Sequence, residues 1–533
     1  MSLLTGAGVT IDAGAPLWAG LVTDLAGKVP GFSDTFNRHR SAGIADTTVT
    51  SFIHSRFVDD YVRARNDVPE RYVRLTAEVA WFQAIRDTIY ANIPEEVAEV
   101  RKKHPYIETL ARFCLRCEST ITFNFDDILD QVATDVTAQY GQPPKTMWSL
   151  PAIEKVNFPY IYHINGLLPQ NKNKKASEKL IFTEDSFLQV LYGGGTINRT
   201  VLHNFTNNTF LLTGVSLTDH SLKSILATNA TQSPGSIHYI IHWIQTEDSL
   251  TEMQMHDISH ANFELFNLVT IFLTSEQIKE FLDLVQTGVQ EDGNQDLLDE
   301  NFKSEIRRHA GPAAVLSYKY YIAGPVASGK STLLENLRCF ETLEEWPERT
   351  PAELYMDHKR LEPEQRLDVD RWVYRQLKVK NKHFVRGDPG IHVMDRAPLD
   401  LFAFSIDEKE NRKKAGEIKE QVENDEKLSD GAVMLVVASP DELVERQLRR
   451  GRLPTSKGGV SYDGESLKIQ TEQLKKTYPD AIVYNTDSCD SGILAKRALY
   501  EILYSEYAPL RISELNDARH KRPLEAADDS ATT

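Results

Sequence analysis

The eight residues Gly324-Pro-Val-Ala-Ser-Gly-Lys330-Ser331 constrain this chain more than any other stretch. They follow the apolar run Tyr318–Ala323 and precede Ser331–Leu337, which reads as a helix. The pattern is G-x-x-x-x-G-K-[ST]. Its glycines let backbone N–H groups wrap phosphate, its lysine neutralises the far end of a polyphosphate, and its hydroxyl offers an oxygen to Mg²⁺. Gly324, Ser328, Gly329, Lys330, Ser331 and Thr332 are therefore expected to hold a nucleotide. The strands Gly390–Met394, Ala432–Ala438 and Ala481–Asn485 follow, with helices Pro440–Arg450 and Gly492–Tyr504. Strands alternating with helices imply a parallel sheet covered on both faces.

A second alternating pattern precedes this one. Its strands are Leu3–Thr5, Thr120–Asn124, Tyr160–Ile164, Thr209–Gly214 and Ile237–Trp243. A long helical stretch fills about 45–116, where "RLTAEVAWFQAIRDTIYANI" has helical apolar spacing. At 533 residues, one ordinary core is too small, so two domains are expected. The boundaries read as a first domain over 1–285, an acidic, polar linker over 286–316 carrying one short helix, and a second domain over 317–510. A disordered tail over 511–533 is expected because it lacks apolar periodicity. Gly193-Gly194-Gly195 lacks a strand-turn-helix context and reads as a loop. Only Met1–Thr5 precede the first glycine turn, so either the first strand is short or the true start lies upstream.

Composition excludes several classes. Hydrophobic residues make up 41% and charged residues 26%, an ordinary globular balance. The net charge of −17 disfavours non-specific nucleic-acid binding, which needs a basic surface. No secretory signal and no membrane-spanning run is visible, and four cysteines cannot build a disulfide framework, so a cytoplasmic location is expected. Sequons such as Asn198-Arg-Thr then read as polar loops.

Two further segments bear on the phosphate loop. "HVMDRAPLD" sets Asp395 and Arg396 just after a strand, where a carboxylate can hold Mg²⁺ or take a proton from an acceptor. "ELVERQLRRGR" sets Arg446, Arg449, Arg450 and Arg452 at a helix end and the turn beyond, as a lid of phosphate-seeking forks or as a solvated face. Loop, "DR" and arginines together resemble the nucleoside and nucleoside-monophosphate kinase branch of P-loop proteins, over about 317–504. That resemblance implies ATP or another nucleotide, Mg²⁺ on Ser331 and Asp395, and an acceptor nucleoside near Glu348, Arg349 and Asp357.

At the other end, "SLLTGAGVTIDAGAP" is an apolar strand, a glycine turn and a helix start. "TFNFDD" (Thr122–Asp127), "YHINGLLP" (Tyr162–Pro169) and "GVSLTD" (Gly214–Asp219) also lie just after strands, where ligands of such sheets bind. These four segments, in this order, resemble the sirtuin signatures over about 1–285, and most closely the sirtuin-like domains of bacterial anti-phage defence proteins. The resemblance implies NAD against Gly6, Ala7, Gly8, Thr10, Asp12, Gly214, Ser216 and Asp219. It implies Asn124 on the ribose hydroxyls or the attacking water, Asp126 on the nicotinamide carboxamide, and His163 as base. His163 stands two places before Gly166, which keeps it on the same strand face but about 7 Å along the strand.

Three departures separate the chain from protein deacylases. Cys114-x-x-Cys117 has no second pair, so the four-ligand zinc module is missing and no zinc is expected. Leu17-Trp18 replaces the deacylase Asp-Phe-Arg continuation, and the helical insertion separates the first two motifs. The reading is an α/β chain of two domains, a Rossmann-like sirtuin-type parallel sheet with a helical insertion followed by a P-loop NTPase, nucleotide-kinase-like parallel sheet. Its expected activity is hydrolysis of NAD⁺ to nicotinamide and ADP-ribose, gated by nucleotide binding or phosphorylation in the second domain. It is expected to act in a homo-oligomer and to answer an infection-linked, phage-derived trigger. The alternatives are a working nucleoside or nucleotide kinase with an inactive NAD-binding domain, and an NAD-dependent protein deacylase.

Overall fold

The computed structural model describes residues 1–65, 68–138, 142–148, 159–186, 188, 196–287, 295–356, 361–386, 388–451, 463–487 and 489–521. The chain divides into two compact units, one of Met1–Gln232 with Ser236–Asp292, the other built mainly from Gly293–Thr533.

In the first unit, seven strands form one sheet: β1 (Ser2–Thr5), β2 (Thr120–Thr122), β3 (Lys145–Met147), β4 (Tyr160–His163), β5 (Phe210–Thr213), β6 (His238–Trp243) and β7 (Leu268–Leu273). Their spatial order is β3-β4-β2-β1-β5-β6-β7, and every pairing is parallel. β1 is only four residues long but wholly buried, and its side chains alternate between two cores. Leu3 packs with Ile161, Leu211 and Ile241 on one face, while Leu4 packs with Ile121, Tyr162, Leu212 and Ile240 on the other. Burial on both faces is why these strands read as continuous apolar runs. The chain runs outward from β1 to β2 and on to the edge strand β3, returns to β4 between β3 and β2, then crosses to β5 on the opposite side of β1. Sheets of this kind take their ligands at the carboxyl ends of the strands beside such a reversal.

The helical insertion comprises Asp46–Arg63, Glu70–Ile89, Val97–Lys103 and Ile107–Cys114. It buries Trp81, Ile85, Ile89 and Leu110 in the Leu3 core.

The second unit has five parallel strands: β8 (Ser317–Ala323), β9 (Glu341–Leu343), β10 (Gly390–Asp395), β11 (Ala432–Val437) and β12 (Ile482–Asn485). Their order, β12-β11-β8-β10-β9, puts the phosphate-loop strand at the centre. The expected disorder from 511 onward is corrected for its first part. Ile512–Lys521 forms a helix whose Ile512 and Asn516 are buried, and Asn516 Nδ2 donates to Ala415 O at 3.2 Å. Ile512 and Leu515 pack on the second unit's core while Asn516 and Arg519 are buried polar residues, too few apolar positions for periodicity to reveal it. Residues 522–533 and Gly193–Gly195 lie outside the described residues. Among the described residues, no helix is long and apolar enough to cross a membrane.

Candidate functional sites

In the first unit, β1 and β5 end in glycines that touch. Gly6 N–H donates to Thr213 O at 3.1 Å and Gly8 N–H to Gly214 O at 2.8 Å. A Cβ on Gly8 would meet Gly214 Cα at 2.6 Å, and one on Gly214 (φ +64°) would meet Val9 N at 2.4 Å. Glycine is required here for close approach of two backbones. The Gly6 and Gly8 amides are thus engaged with β5, so a pyrophosphate cradle made of these two N–H groups is not what the sequence motif built. Ala7 opens the short helical turn Ala7–Thr10, which follows Gly6 and contains Gly8.

Thr10, Asn124 and Asp126 form a buried cluster. Asn124 Nδ2 donates to Thr10 Oγ1 at 3.4 Å, and Thr10 Oγ1 lies 3.2 Å from Asp126 Oδ2 as donor. Ile128 N–H donates to Asp126 Oδ1 at 3.2 Å. Asn124 Oδ1 is buried and accepts no hydrogen bond among the described residues. Burial pushes the Asp126 carboxyl up to about 6, against the opposing pull of the Ile128 amide and of His163.

His163 differs from its expected role. It is fully buried, with Nδ1 3.0 Å from Asn124 O and Nε2 3.0 Å from Asp130 Oδ2. Both ring nitrogens face acceptors, an arrangement suited to an imidazolium paired with a carboxylate. Burial alone would lower its pKa, yet Asp130 and the Asn124 carbonyl raise it. Thr146 Oγ1 donates to the other Asp130 oxygen at 2.7 Å. Neither nitrogen is free to act as base toward water, and the ring instead fixes the Asn124 backbone.

The insertion is stitched to the same loops. Tyr90 Oη lies 2.9 Å from Asp127 Oδ1 and 2.8 Å from Leu168 O. His104 Nε2 reaches Val9 O at 2.7 Å, and Lys103 Nζ reaches Ala13 O at 3.3 Å. Asp12 is half-buried beside His104 and Tyr106. Ser216 is exposed and bonds Thr218, while Asp219 Oδ1 accepts from Leu222 N–H at the start of a helix. Cys114 Sγ lies 3.0 Å from Thr120 Oγ1, and burial pushes its thiol up to about 12.

In the second unit the loop between β8 and the helix Lys330–Asn336 turns on Gly324, whose added Cβ would meet Val436 O at 2.3 Å, and on Gly329 (φ +107°), beside which there is open space. Lys330 Nζ donates to Gly324 O at 3.0 Å and Pro325 O at 2.8 Å. Burial and the nearby Arg396 lower Lys330 to about 8. Ser331 Oγ lies 3.4 Å from Asp395 Oδ2; Asp395 Oδ1 and Ser328 Oγ are buried and unbonded among the described residues. Thr332 is half-buried on the same helix.

Around them stand the expected Arg396 and three charges that the sequence alone did not single out, Glu345, Lys380 and Asp400. Arg396, in the left-handed region at φ +68°, donates from Nε to Glu345 at 2.7 Å and lies 3.9 Å from Asp400. Lys380 Nζ donates to Asp395 O at 2.5 Å and to Glu345 O at 3.2 Å. Burial raises the Glu345 carboxyl, but Arg396 and Lys330 more than offset this and hold it below the usual range. Asp400, desolvated beside Tyr478, is pushed up to about 7.

The arginine group divides. Arg446 is braced on Glu442, Thr486 and the Ser328 carbonyl, at 2.7, 2.9 and 3.4 Å. Arg449 and Arg450 are exposed, Arg449 pairing with Glu445. Arg452 and Asp357 lie outside the described residues. Glu348 accepts from Arg375 at 2.6 Å and Gln376 at 2.9 Å, and Arg349 is exposed.

Residues 118–265 match the family model described as SIR2-like domain. The matched stretch runs from β2 through β6 and includes Asn124, Asp126, His163 and Gly214; β1, its glycine turn and the insertion precede it. It supports a sirtuin-like first unit and, with it, an NAD-related activity. No curated protein sequence matches the chain. Among solved structures the chain is similar to deoxyadenosine kinase from M. mycoides. With bound dATP the identity is 17%, covering 34% of this chain and 98% of that one, at TM-score 0.28. With products dCMP and dCDP the values are 17%, 35%, 100% and 0.28, and with dCTP 19%, 34%, 100% and 0.24.

Proposed function

We propose that the chain is an NAD⁺ glycohydrolase whose P-loop unit gates it through a bound or phosphorylated nucleotide. The observation that carries the first part is the buried Thr10–Asn124–Asp126 cluster, with the unbonded Asn124 Oδ1 just past the end of β2, the strand beside β1. In hydrolysis the bond from the ribose C1′ to the nicotinamide nitrogen breaks, and its electron pair neutralises the pyridinium. Water oxygen bonds C1′ and gives up a proton. Because the leaving group departs neutral, it needs no acid; the site must position water and stabilise an oxocarbenium-like transition state. Asn124 Oδ1 accepts from the water or a ribose hydroxyl. Asp126 takes the proton, since it ionises near neutrality and His163 is engaged elsewhere. His163 is a positioning residue acting through Asn124. Support for an anti-phage role, for the trigger and for assembly into homo-oligomers comes from the sequence resemblance.

For the second unit, the oxygen donors Ser331 Oγ and Asp395, one of whose oxygens is buried and unbonded, fit Mg²⁺. When bound there, the ion would neutralise charge on a nucleotide polyphosphate. Lys330 would leave the loop carbonyls for the phosphates. A second reading, a working nucleoside or nucleotide kinase, is favoured by one feature. Glu345 is held ionised by Arg396 and Lys330, as a base toward an acceptor hydroxyl must be.

The test is NAD⁺ turnover followed by mass spectrometry, alone and with nucleoside mono- and triphosphates plus Mg²⁺, in wild type, Asn124→Ala and Lys330→Ala. Nicotinamide release that needs one nucleotide and disappears in both variants supports gating. No NAD⁺ loss under any condition, with phosphate passing from ATP to a nucleoside, overturns the glycohydrolase and leaves the kinase.

A further inference from the structure

We propose that Glu341, His383 and His392 form a binding site for a divalent metal ion of the zinc class, apart from the nucleotide site. The three residues come from three elements: Glu341 from the edge strand β9, His392 from β10, and His383 from the helix Pro363–Arg386. Glu341 and His392 are register partners across the two strands. His383 Nε2 lies 2.8 Å from Glu341 Oε1, and His392 Nδ1 lies 3.0 Å from Glu341 Oε2. One ligand atom from each falls within 4.8 Å of the others.

The chemistry of His392 points to a cation. Its ring is buried, and its Nε2–H donates to Asp388 O at 2.7 Å. In the neutral ring this leaves a lone pair on Nδ1, and that atom makes no hydrogen bond among the described residues. A lone pair facing a carboxylate oxygen is repulsive until a cation sits against both. A carbonyl behind one imidazole nitrogen, fixing the other toward the ion, is the usual support of a metal-ligating histidine.

Two imidazoles and one carboxylate select a borderline ion over Mg²⁺ or Ca²⁺, which prefer oxygen. Tetrahedral bonds of about 2.0–2.2 Å place ligand atoms roughly 3.4 Å apart. The half-exposed side chains of Glu341 and His383 can reach that by small shifts. A water molecule would complete the ligand set, since Glu341 and His383 are exposed. The absence of a second cysteine pair has no bearing on such a site. A bound ion would pin the helix that carries Lys380, one turn from His383, against β9 and β10.

The test uses the full chain stripped with a chelator and titrated with Zn²⁺ against a chromophoric competitor. Wild type is compared with Glu341→Gln and His383→Asn, both surface changes, and with His392→Gln. One tight equivalent is expected in wild type, resistant to excess Mg²⁺, and weakened at least tenfold in Glu341→Gln and His383→Asn. X-ray absorption of the loaded protein is expected to show two imidazoles and a carboxylate oxygen at about 2.0–2.1 Å. Equal Zn²⁺ affinity in wild type and these two variants, or binding only at millimolar Zn²⁺, overturns the site and leaves an ion-pair network. If His392→Gln fails to fold, the two surface variants still decide.

Discussion

The chain holds two glycine turns at strand ends that begin alike and differ in electrostatics, the first mainly acidic and the second a balanced set of cations and carboxylates. In the first, Gly6, Gly8 and Gly214 bring two backbones into contact, and the titratable groups beneath are Asp126, Asp127 and Asp130 with His163. In the second, Gly329 faces open space, and three cations, Lys330, Lys380 and Arg396, converge on Glu345, Asp395 and Asp400. A glycine motif therefore does not specify what it greets. In one place it permits strand packing, in the other it frames a loop. The charge behind it decides the ligand. Carboxylates suit a ligand whose reacting part is a cation, as the pyridinium of NAD⁺ is, whereas the lysines and arginine suit a polyphosphate.

The widest gap should appear on removing one buried charge from each. His163→Ala leaves Asp130 buried with only Thr146 against it, and a broken buried pair costs about 3–5 kcal/mol. Lys380→Met removes a buried cation bound to two carbonyls and should cost about 1–3 kcal/mol for the acceptors left unmet. Urea unfolding of each variant measures both. A smaller loss for His163→Ala than for Lys380→Met would mean that the first cradle is not held by its ion pair.

Glycine substitutions probe the same contrast more gently. Gly214→Ala forces a Cβ into Val9 N from a left-handed backbone, so overpacking of about 1–3 kcal/mol adds to backbone strain. Gly329→Ala meets no atom within 4 Å and pays only the left-handed cost, about 1–2 kcal/mol. Comparable melting losses in the two variants would erase the distinction between a packing glycine and a loop glycine.

What the sequence could reveal follows the same line. The central strands were legible because burial on both faces writes them as apolar runs, and β1 could be placed from four residues. The three-residue edges β3 and β9 carry no such pattern, being mostly exposed or half-buried. β7, Leu-Val-Thr-Ile-Phe-Leu, was a readable apolar run that the reading passed over. Site residues at strand ends were named because motifs sit there. Their tertiary partners were not: Asp130 is 33 residues from His163, and Lys380 is 15 from Asp395. Spacing along the chain says nothing of such contacts. Nor could it show that Arg446 is already committed to Thr486 while Arg449 is exposed.

The acid limb of NAD⁺ turnover sharpens the reading of the first cradle. Asp126 must be ionised to take a proton, and burial sets its carboxyl at about 6. Turnover should therefore fall as pH drops through about 6, tenfold per unit below it, and Asp126→Asn should lose most activity at every pH. A limb unchanged in position in a residually active Asp126→Asn variant would return the proton to another group.

The subtlest contrast is a proton count in the second cradle. Lys330 stands at about 8 because burial and Arg396 disfavour its charge. Near pH 8 about half of the unliganded molecules hold it neutral. A polyphosphate against Nζ favours the charged form and raises that value, so binding must draw protons from solution. The sign is fixed: uptake peaks near pH 8 and above, and fades toward pH 6.5, where the lysine is already protonated. Calorimetry of ATP binding in buffers of different ionisation enthalpy reads the number directly, as up to roughly half a proton at pH 8. Lys330→Met should bind more weakly and take up none. Uptake that survives in Lys330→Met would assign the proton to Lys380 or Asp400, the two neighbours poised in the same range, and would move the phosphate's contact deeper into the cluster.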